Sequence, residues 1–347
     1  MATIKDVAAR AEVSITLVSR YLNGVKGVGN ASAARIQAAI DELGYRPNEL
    51  ARSLVLQKTN TIGVVVDTLS STFMFPLFEG LESGALEFNP DNRYNIIYCS
   101  ANGREEQKRR HIRFLTQGRV DGLLIYGSCV EDDRLIASLA ESRFPFALIE
   151  NDPPGIDVNK IVIDNAGGAR EAVQWLVRKG CRRIFHMSGN DALKITCDRR
   201  FGYCAAMEEA GLEPVVIWPE GFRQTQKEVV LTKQRLFEAG YQEMKKLLEA
   251  GDLPDGIFFA SDVLAFGAVQ ALNEAGKSVP EDLQGVGFDD ENPWEFNSRL
   301  SRIPTLRQPL RQAGYLGMKS LIQSLAHPQD PKTRIVLKTE LIEPLLP

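Results

Sequence analysis

Lys5-Asp6-Val7-Ala8-Ala9-Arg10-Ala11-Glu12-Val13-Ser14-Ile15-Thr16-Leu17-Val18-Ser19-Arg20-Tyr21-Leu22-Asn23-Gly24 holds two short helical patterns with almost nothing between them. Thr3 followed by Asp6 is a capping box that opens the first, whose apolar face is Val7, Ala8 and Ala11. Ser14 caps the second through about Leu22, and Asn23-Gly24 stops it. Glu12-Val13 leaves room only for a very tight turn, so the two helices cannot lie flat. A third helix is expected from about Ala31 to Leu43, with Ile36, Ala39, Ile40 and Leu43 at helical spacing and Gly44 closing it. Glycine at 29 is a weak start for it, and Asn30 can take over the cap one residue later. The pattern is a helix-turn-helix braced by a third helix.

Beyond Tyr45-Arg46-Pro47, Asn48 caps a segment through Leu56 that is only about two turns long. A helix of that length cannot be sustained by propensity and needs a partner to order it. From Thr61 the pattern changes. Apolar strands are expected at 62–66, 94–99, 120–126, 146–150, 160–163, 183–188, 214–218, 256–260 and 285–288. Helical runs lie between them at 75–88, 105–117, 167–179, 198–210, 241–249 and 263–274. Short apolar strands alternating with helices indicate parallel sheets covered on both faces. About nine strands, with a break near 163–180, divide into two sheets whose strand ends face a cleft.

The 347 residues, 44% apolar and 25% charged, allow two large units and a small appendage. Formal net charge is −4, but residues 1–58 hold eight Lys/Arg against five Asp/Glu, a net +3 on an acidic body. Five cysteines, odd in number and without a CxxC pair, read as free thiols in a reducing compartment. No apolar signal segment opens the chain and no window of 18 uncharged apolar residues occurs, so a cytoplasmic location without membrane contact is expected.

The opening stretch resembles the N-terminal domain of the lactose/galactose repressor family of bacterial transcription regulators. The resemblance continues through Gly44-Tyr45-Arg46-Pro47-Asn48, Ala51-Arg52-Ser53-Leu54 and Thr61-Ile62-Gly63-Val64. It returns, in family order, at Val120-Asp121-Gly122-Leu123, Ile163-Asp164-Asn165, Ser261-Asp262, Val279-Pro280, Gly287-Phe288-Asp289-Asp290 and Gln308-Pro309. It implies a mainly α/β fold: a three-helix DNA-binding domain (1–47), a hinge helix and linker (48–60), and an effector-binding, dimerising body (61–347). The body is then two Rossmann-like lobes of periplasmic-binding-protein type. The N-lobe is expected to take about 61–163 plus 305–330, and the C-lobe about 164–304 plus 331–347.

The resemblance implies that the second helix enters the major groove of palindromic operator DNA, with Ile15, Thr16 and Arg20 reading bases. Arg20 suits bidentate contact to guanine and Ile15 a thymine methyl. Ser14, Ser19, Tyr21, Asn23 and Tyr45 complete the expected DNA surface, with packing of the Tyr21 ring against helix 3 as the lesser alternative. In the hinge, Arg52 is left for phosphate beside Ser53, and the leucine matching Leu54 wedges into the minor groove when two subunits sit on DNA. The chain departs from the pattern at Leu17, where threonine is commoner, and at 29–33, which removes a customary phosphate-binding arginine.

For the cleft, the match assigns Asp289 and Arg199 to effector contact, with Asp67 and Phe73 in the first loop and Phe222 or Trp218 as a further aromatic wall. Asp262 could bond a ligand hydroxyl or simply cap its helix. An arginine facing an aspartate suits a neutral polyol, so sugar or a sugar derivative is preferred to a purine as effector. The stretch 223–240 is longer than its counterparts, and 224–237 reads as an extra, mostly polar helix over the cleft, at a subunit contact or on the surface. No GxSxG, Walker loop, HExxH or strand-linked GxGxxG is present, so no catalytic residue, cofactor or metal is expected. The reading is a homodimeric, ligand-responsive regulator; a two-lobed solute-binding protein without DNA function is the alternative from another class.

Overall fold

The computed structural model describes residues 2–22, 24–25, 27–46, 58–69, 72–89, 93–127, 129–222, 232–291 and 303–344. The chain divides into two units, residues 1–59 and 60–347. In the first, α1 (Ile4–Arg10), α2 (Ile15–Leu22) and α3 (Asn30–Leu43) enclose Val7, Ala8, Ala11, Val18, Ile36 and Ala39. The capping box forms as expected: the Thr3 amide donates to Asp6 Oδ2 at 2.8 Å and the Asp6 amide returns to Thr3 Oγ1. Glu12 makes the tight turn by taking a φ of 54°, the left-handed region where a non-glycine residue is uncommon. Helix α3 starts one residue earlier than its periodicity suggests. Gly29 is its N-cap, with no side-chain bond, and Asn30 is already helical. The hinge segment expected from Asn48 to Leu56 lies outside the described residues.

The second unit holds two six-stranded sheets. The first contains β1 (Thr61–Val66), β2 (Asn95–Ser100), β3 (Gly122–Tyr126), β4 (Phe146–Ile149), β5 (Asn159–Ile163) and β11 (Arg334–Leu337), in the order β11-β5-β4-β3-β1-β2, all parallel. Its two faces are apolar in alternation. Ile62, Val64, Val66 and Leu124 pack beneath α4 (Phe75–Phe88) and α11 (Leu310–Ala326), while Val65, Leu123, Ile125 and Leu148 pack beneath α5 (Glu105–Thr116) and α6 (Asp133–Glu141).

The second sheet contains β6 (Ile184–Met187), β7 (Val215–Ile217), β8 (Gly256–Phe259), β9 (Gln284–Asp289), β10 (Thr305–Arg307) and β12 (Glu340–Ile342). Its order is β12-β10-β9-β8-β6-β7, and only β12 runs antiparallel. α7 (Asn165–Arg178) and α8 (Lys194–Glu209) cover one face, and α9 (Lys233–Ala250) and α10 (Asp262–Glu274) the other.

Two boundaries differ from expectation. Residues 305–307, expected in the N-lobe, pair with β9 in the second sheet, Leu306 beside Phe288. Residues 334–337, expected in the C-lobe, pair with β5 in the first, Ile335 beside Ile161. The chain therefore passes between lobes at 163–165, 307–310 and 337–340. The reason is length: strands of three or four residues carry too little pattern to reveal which sheet they join. The helix expected over 224–237 also changes. Residues 233–237 are the first turn of α9, continuous to Ala250 and capped by Thr232, whose side chain accepts from the Arg235 amide; 223–231 lie outside the described residues.

In each sheet the strand order reverses beside the first strand, between β1 and β3 and between β6 and β8. Crevices beyond the carboxyl ends of such strands are where ligands bind in α/β folds. The cleft lies at both reversals.

Candidate functional site

In the first unit Ser14, Ile15, Thr16 and Arg20 are exposed, and Ile15, an aliphatic residue, is 45% exposed. Ser14 Oγ accepts from the Leu17 amide at 3.2 Å, which starts α2 and leaves its free amides at the surface. Val18, one turn inward, is fully buried, so the exposed side chains share one face of a helix anchored by the opposite one. Ser19 is half-buried on the same helix. Tyr21 is held on the inner side: its ring packs on the three-helix core and its hydroxyl donates to Gln37 Oε1 at 2.8 Å. Tyr45 also packs against that core. Asn23, Arg52, Ser53 and Leu54 lie outside the described residues.

The cleft of the second unit has an outer space of about 570 Å³ and an inner recess of about 140 Å³. Asp67 follows β1, Tyr126 ends β3 and Glu150 follows β4, while Ser261 follows β8 and Asp289 ends β9, so the floor is made of strand ends from both lobes. Phe73 lines both compartments and gives the apolar wall that its sequence position suggests.

Arg199 is 2% exposed and reaches the recess from α8. Its Nε donates to Asn165 Oδ1 at 2.8 Å, its Nη1 to the Ala260 carbonyl at 2.5 Å, and Nη1 stands 3.2 Å from Asp289 Oδ1. The guanidinium lies 3.6 Å from the centre of the Phe288 ring, which fixes its plane. Burial pushes Asp289 up to about 6 although Arg199 pulls the other way, and pushes Glu150 up to about 7 against the Ile163 amide and Arg199. Both residues hold positive φ, 116° at Asp289 and 61° at Glu150, so the backbone is strained where carboxylates face the ligand space. Asp67 is bridged to buried Lys108 at 3.1 Å, and Lys108 also meets Asp132 at 2.7 Å.

Arg199, Asp289, Asp67 and Phe73 thus converge on one cleft. Asp262 and Phe222 do not. Asp262 is buried behind β9, where its carboxylate accepts from the Glu291 amide at 2.8 Å and from Thr305 Oγ1; Ser261 caps α10 instead. Burial raises Asp262 well above the carboxylate range. It braces the loop after β9 and faces no ligand space. Phe222 is 4% exposed within the core around Met187 and Phe259. A motif position places a residue near a strand end but not the direction of its side chain. Tyr126, Glu150, Gln308 and the Lys233–Glu291 pair at 3.0 Å are cleft residues to which the sequence assigns no ligand role. The place of Glu150, directly after an apolar strand, is the one signal that could have found it.

Among the described residues no group of three or more His, Cys, Asp and Glu could hold a metal, and no helix is long and apolar enough to cross a membrane.

Comparison with known proteins agrees with both halves of this geometry. Residues 3–48 match the model described as bacterial regulatory proteins, lacI family, and residues 173–343 match that of a periplasmic binding protein-like domain. The chain is 32% identical over 348 residues to the HTH-type transcriptional regulator RegA of Clostridium saccharobutylicum, covering 99% of this chain and 98% of that protein. It is equally 32% identical over 345 residues to the ribose operon repressor of Escherichia coli K12, covering 99% of each. Among solved structures it resembles a transcriptional regulator CelR–cellobiose complex, with 27% identity, a TM-score of 0.67 and 99% of each chain covered. With a helix-turn-helix in one unit, a cleft between two sheets in the other and similarity along nearly the whole chain, this protein belongs to the lacI family of bacterial regulatory proteins: it is a ligand-responsive, DNA-binding transcriptional regulator and not an enzyme.

Proposed function

We propose that the protein is a homodimeric repressor of a carbohydrate-utilisation operon, acting in the cytoplasm on a palindromic operator and controlled by a sugar or sugar derivative. The observation that carries the sugar reading is the Arg199–Asp289 pair beside an apolar wall, since a buried cation and anion at 3.2 Å offset each other and offer paired hydrogen bonds to neighbouring hydroxyls. The names of relatives support it: one is called a ribose operon repressor and one solved structure holds cellobiose. Ser14 and, from α2, Ile15, Thr16, Ser19 and Arg20 meet the major groove, Asn23 and Tyr45 flank it, and the hinge residues Arg52, Ser53 and Leu54 meet the minor groove. Tyr21, whose hydroxyl is engaged by Gln37, positions α2. The ligand acts by changing which arrangement of the body is populated.

Gel-shift titration on a dyad operator, with and without ribose, cellobiose and hypoxanthine, tests both halves. A sugar should shift operator affinity. A response to hypoxanthine alone would reassign the cleft to purines. Leu54→Ala should weaken operator binding and reduce DNA bending together.

A further inference from the structure

Beside the cleft the two lobes are bonded directly to each other. The loop after β3 meets the loop after β6 as an isolated antiparallel bridge, Cys129 beside Leu193, and the Val130 amide donates to the Ala192 carbonyl at 3.0 Å. Cys129 and Ala192 are buried, and Leu193 packs against them in a small apolar cluster separate from the cores of both sheets. Lys194, the first residue of α8, pairs with Asp133, the first of α6, and donates to Asn151 Oδ1 at 2.9 Å. A backbone bond, an apolar contact and an ion pair thus join the lobes through residues that belong to none of the three chain passages. All of them must part if the lobes separate here.

The N-lobe half of this junction is held by a buried lysine. Lys108, on α5, is 2% exposed, and its ammonium donates to Asp132 Oδ2 at 2.7 Å and to Asp67 Oδ1 at 3.1 Å. Asp132 is buried and stands between Val130 and Asp133, the two residues that reach the other lobe. Asp67 lines the outer ligand space, and its carboxylate lies so close to Gly127 that a Cβ there would collide with it. An ammonium has three donors and can fix two loops at one point. Here they are the first cleft loop and the loop that crosses to the C-lobe. The ligand space therefore touches the junction twice, at Asp67 through Lys108 and at Leu193 directly, since Leu193 lines both compartments.

We propose that Lys108 and Lys194 are positioning residues of an interlobe clasp, residues 129–133 against 192–194, whose closure sets operator affinity and is coupled to the cleft through Asp67 and Leu193. Lys108 shapes the N-lobe loop and Lys194 fastens it, and neither has to touch the ligand. The inference needs only a ligand-responsive regulator and is the same for a sugar or a purine.

Hydrogen exchange on the full chain, without ligand, reads the clasp at the Val130 amide, with residues 123–125 of β3 as a reference in the same lobe. Val130 should be protected in the parent. Lys194→Ala should speed its exchange tenfold or more and leave the reference unchanged, and Lys194→Arg should restore protection. Lys108→Met strands two buried carboxylates and lowers stability generally. Combining it with Asp132→Asn should recover part of the denaturation midpoint but not the protection of Val130; recovery of both would reduce Lys108 to a stabilising ion. Leu193→Cys tests function. Cys129 and residue 193 are a non-hydrogen-bonded antiparallel pair, where side chains approach closest and lie within disulfide reach. Oxidation should therefore join Cys129 to the new thiol. Ligand-free operator affinity, by gel shift, should then differ at least threefold between the oxidised and reduced forms, while the parent carried through the same cycle should not change. A Val130 amide that exchanges freely in the parent, failure of the bond to form, or equal operator affinity in the two forms would each overturn the clasp. None of these outcomes bears on which ligand the cleft takes, so the sugar reading is tested separately.

Discussion

Arg20 is exposed on a helix whose opposite face is locked in the core, so its removal should cost little stability. Arg20→Ala should cost specific operator binding about 1–3 kcal/mol per half-site and non-specific binding less, read by gel shift over operator variants. A variant with the parent's preferences would exclude Arg20 from base reading. Arg199 is a different case. Arg199→Ala strands Asn165 Oδ1 and the Ala260 carbonyl and leaves Asp289 without its counter-charge, so it should abolish ligand response and also destabilise the body by roughly 3–5 kcal/mol, measured by urea denaturation. Asp289→Asn should lose the response with a smaller cost. Glu150 adds a pH dependence. It faces Arg199, Asp198 and Tyr126, and its folded pKa of about 7 stands above the ordinary 4.5. Its ionisation therefore opposes folding: the native state holds the proton longer, and stability falls as pH rises through 4.5 towards and past 7. Glu150→Gln should flatten that decline, of order 3 kcal/mol at most, in melts between about pH 5 and 8. At this scale the resemblance makes Asp289 legible because it sits in a recognisable block, and Arg199, Asp67 and Phe73 because they match family positions near strand ends. Tyr126 and Glu150 carry no such mark, and Gln308 is marked as part of a block without a role, because all three become cleft residues only when strand ends distant in sequence are brought together. Asp262 and Phe222 show the converse, right place and wrong direction.

Helices in the body approach closely at glycines, and the sequence reading has no account of this. Positions 80 and 84 of α4 face positions 311 to 318 of α11, and a Cβ on Gly80 would strike the Arg311 carbonyl while one on Gly314 would strike that of Leu77. The pair α9 and α10 repeats the arrangement with Gly240 against Leu264 and Gly267 against Phe237. Gly314→Ala should force α4 and α11 apart and destabilise the body by about 1–3 kcal/mol, seen as a lower denaturation midpoint. The same glycines explain why Leu310–Ala326 carries no helix expectation: its apolar positions recur at helical spacing, but Gly314 and Gly317 read locally as breakers. In the first unit the weakness lies at a helix start. Gly29 has extended backbone and open space for a side chain but no cap bond. Gly29→Ser should raise the stability of the DNA-binding unit by a few tenths of a kcal/mol in thermal melts, and no change would mean that serine finds no amide to accept from there.

For the body as a whole, the broad plan follows from the sequence because long apolar strands and amphipathic helices alternate. The threading does not, because β10, β11 and β12 are only three or four residues long. A polar chain runs along two of the three passages between lobes: Glu150 to Asn165, Asn165 to Arg199, Arg199 to Asp289 and Asp289 to Gln308. Residue 165 ends the first passage and residue 308 lies within the second, so a ligand seated on Arg199 and Asp289 touches groups wired to the segments that join the lobes. Asn165→Ala should therefore weaken the ligand's effect on operator affinity more than it weakens ligand binding itself, a split measured by titrating both on one preparation. The interlaced tail has an evolutionary consequence. Because residues 334–337 complete one sheet and 340–342 the other, a gene truncated near residue 330 loses a strand from both lobes at once. Exchanging one lobe between related genes would require three simultaneous junctions. A single recombination event can trade only the entire body, joined near residue 59 where the two units meet in sequence. Ligand preference within an intact body must then drift by point substitution in the cleft, whereas operator preference can be inherited as a detachable cassette.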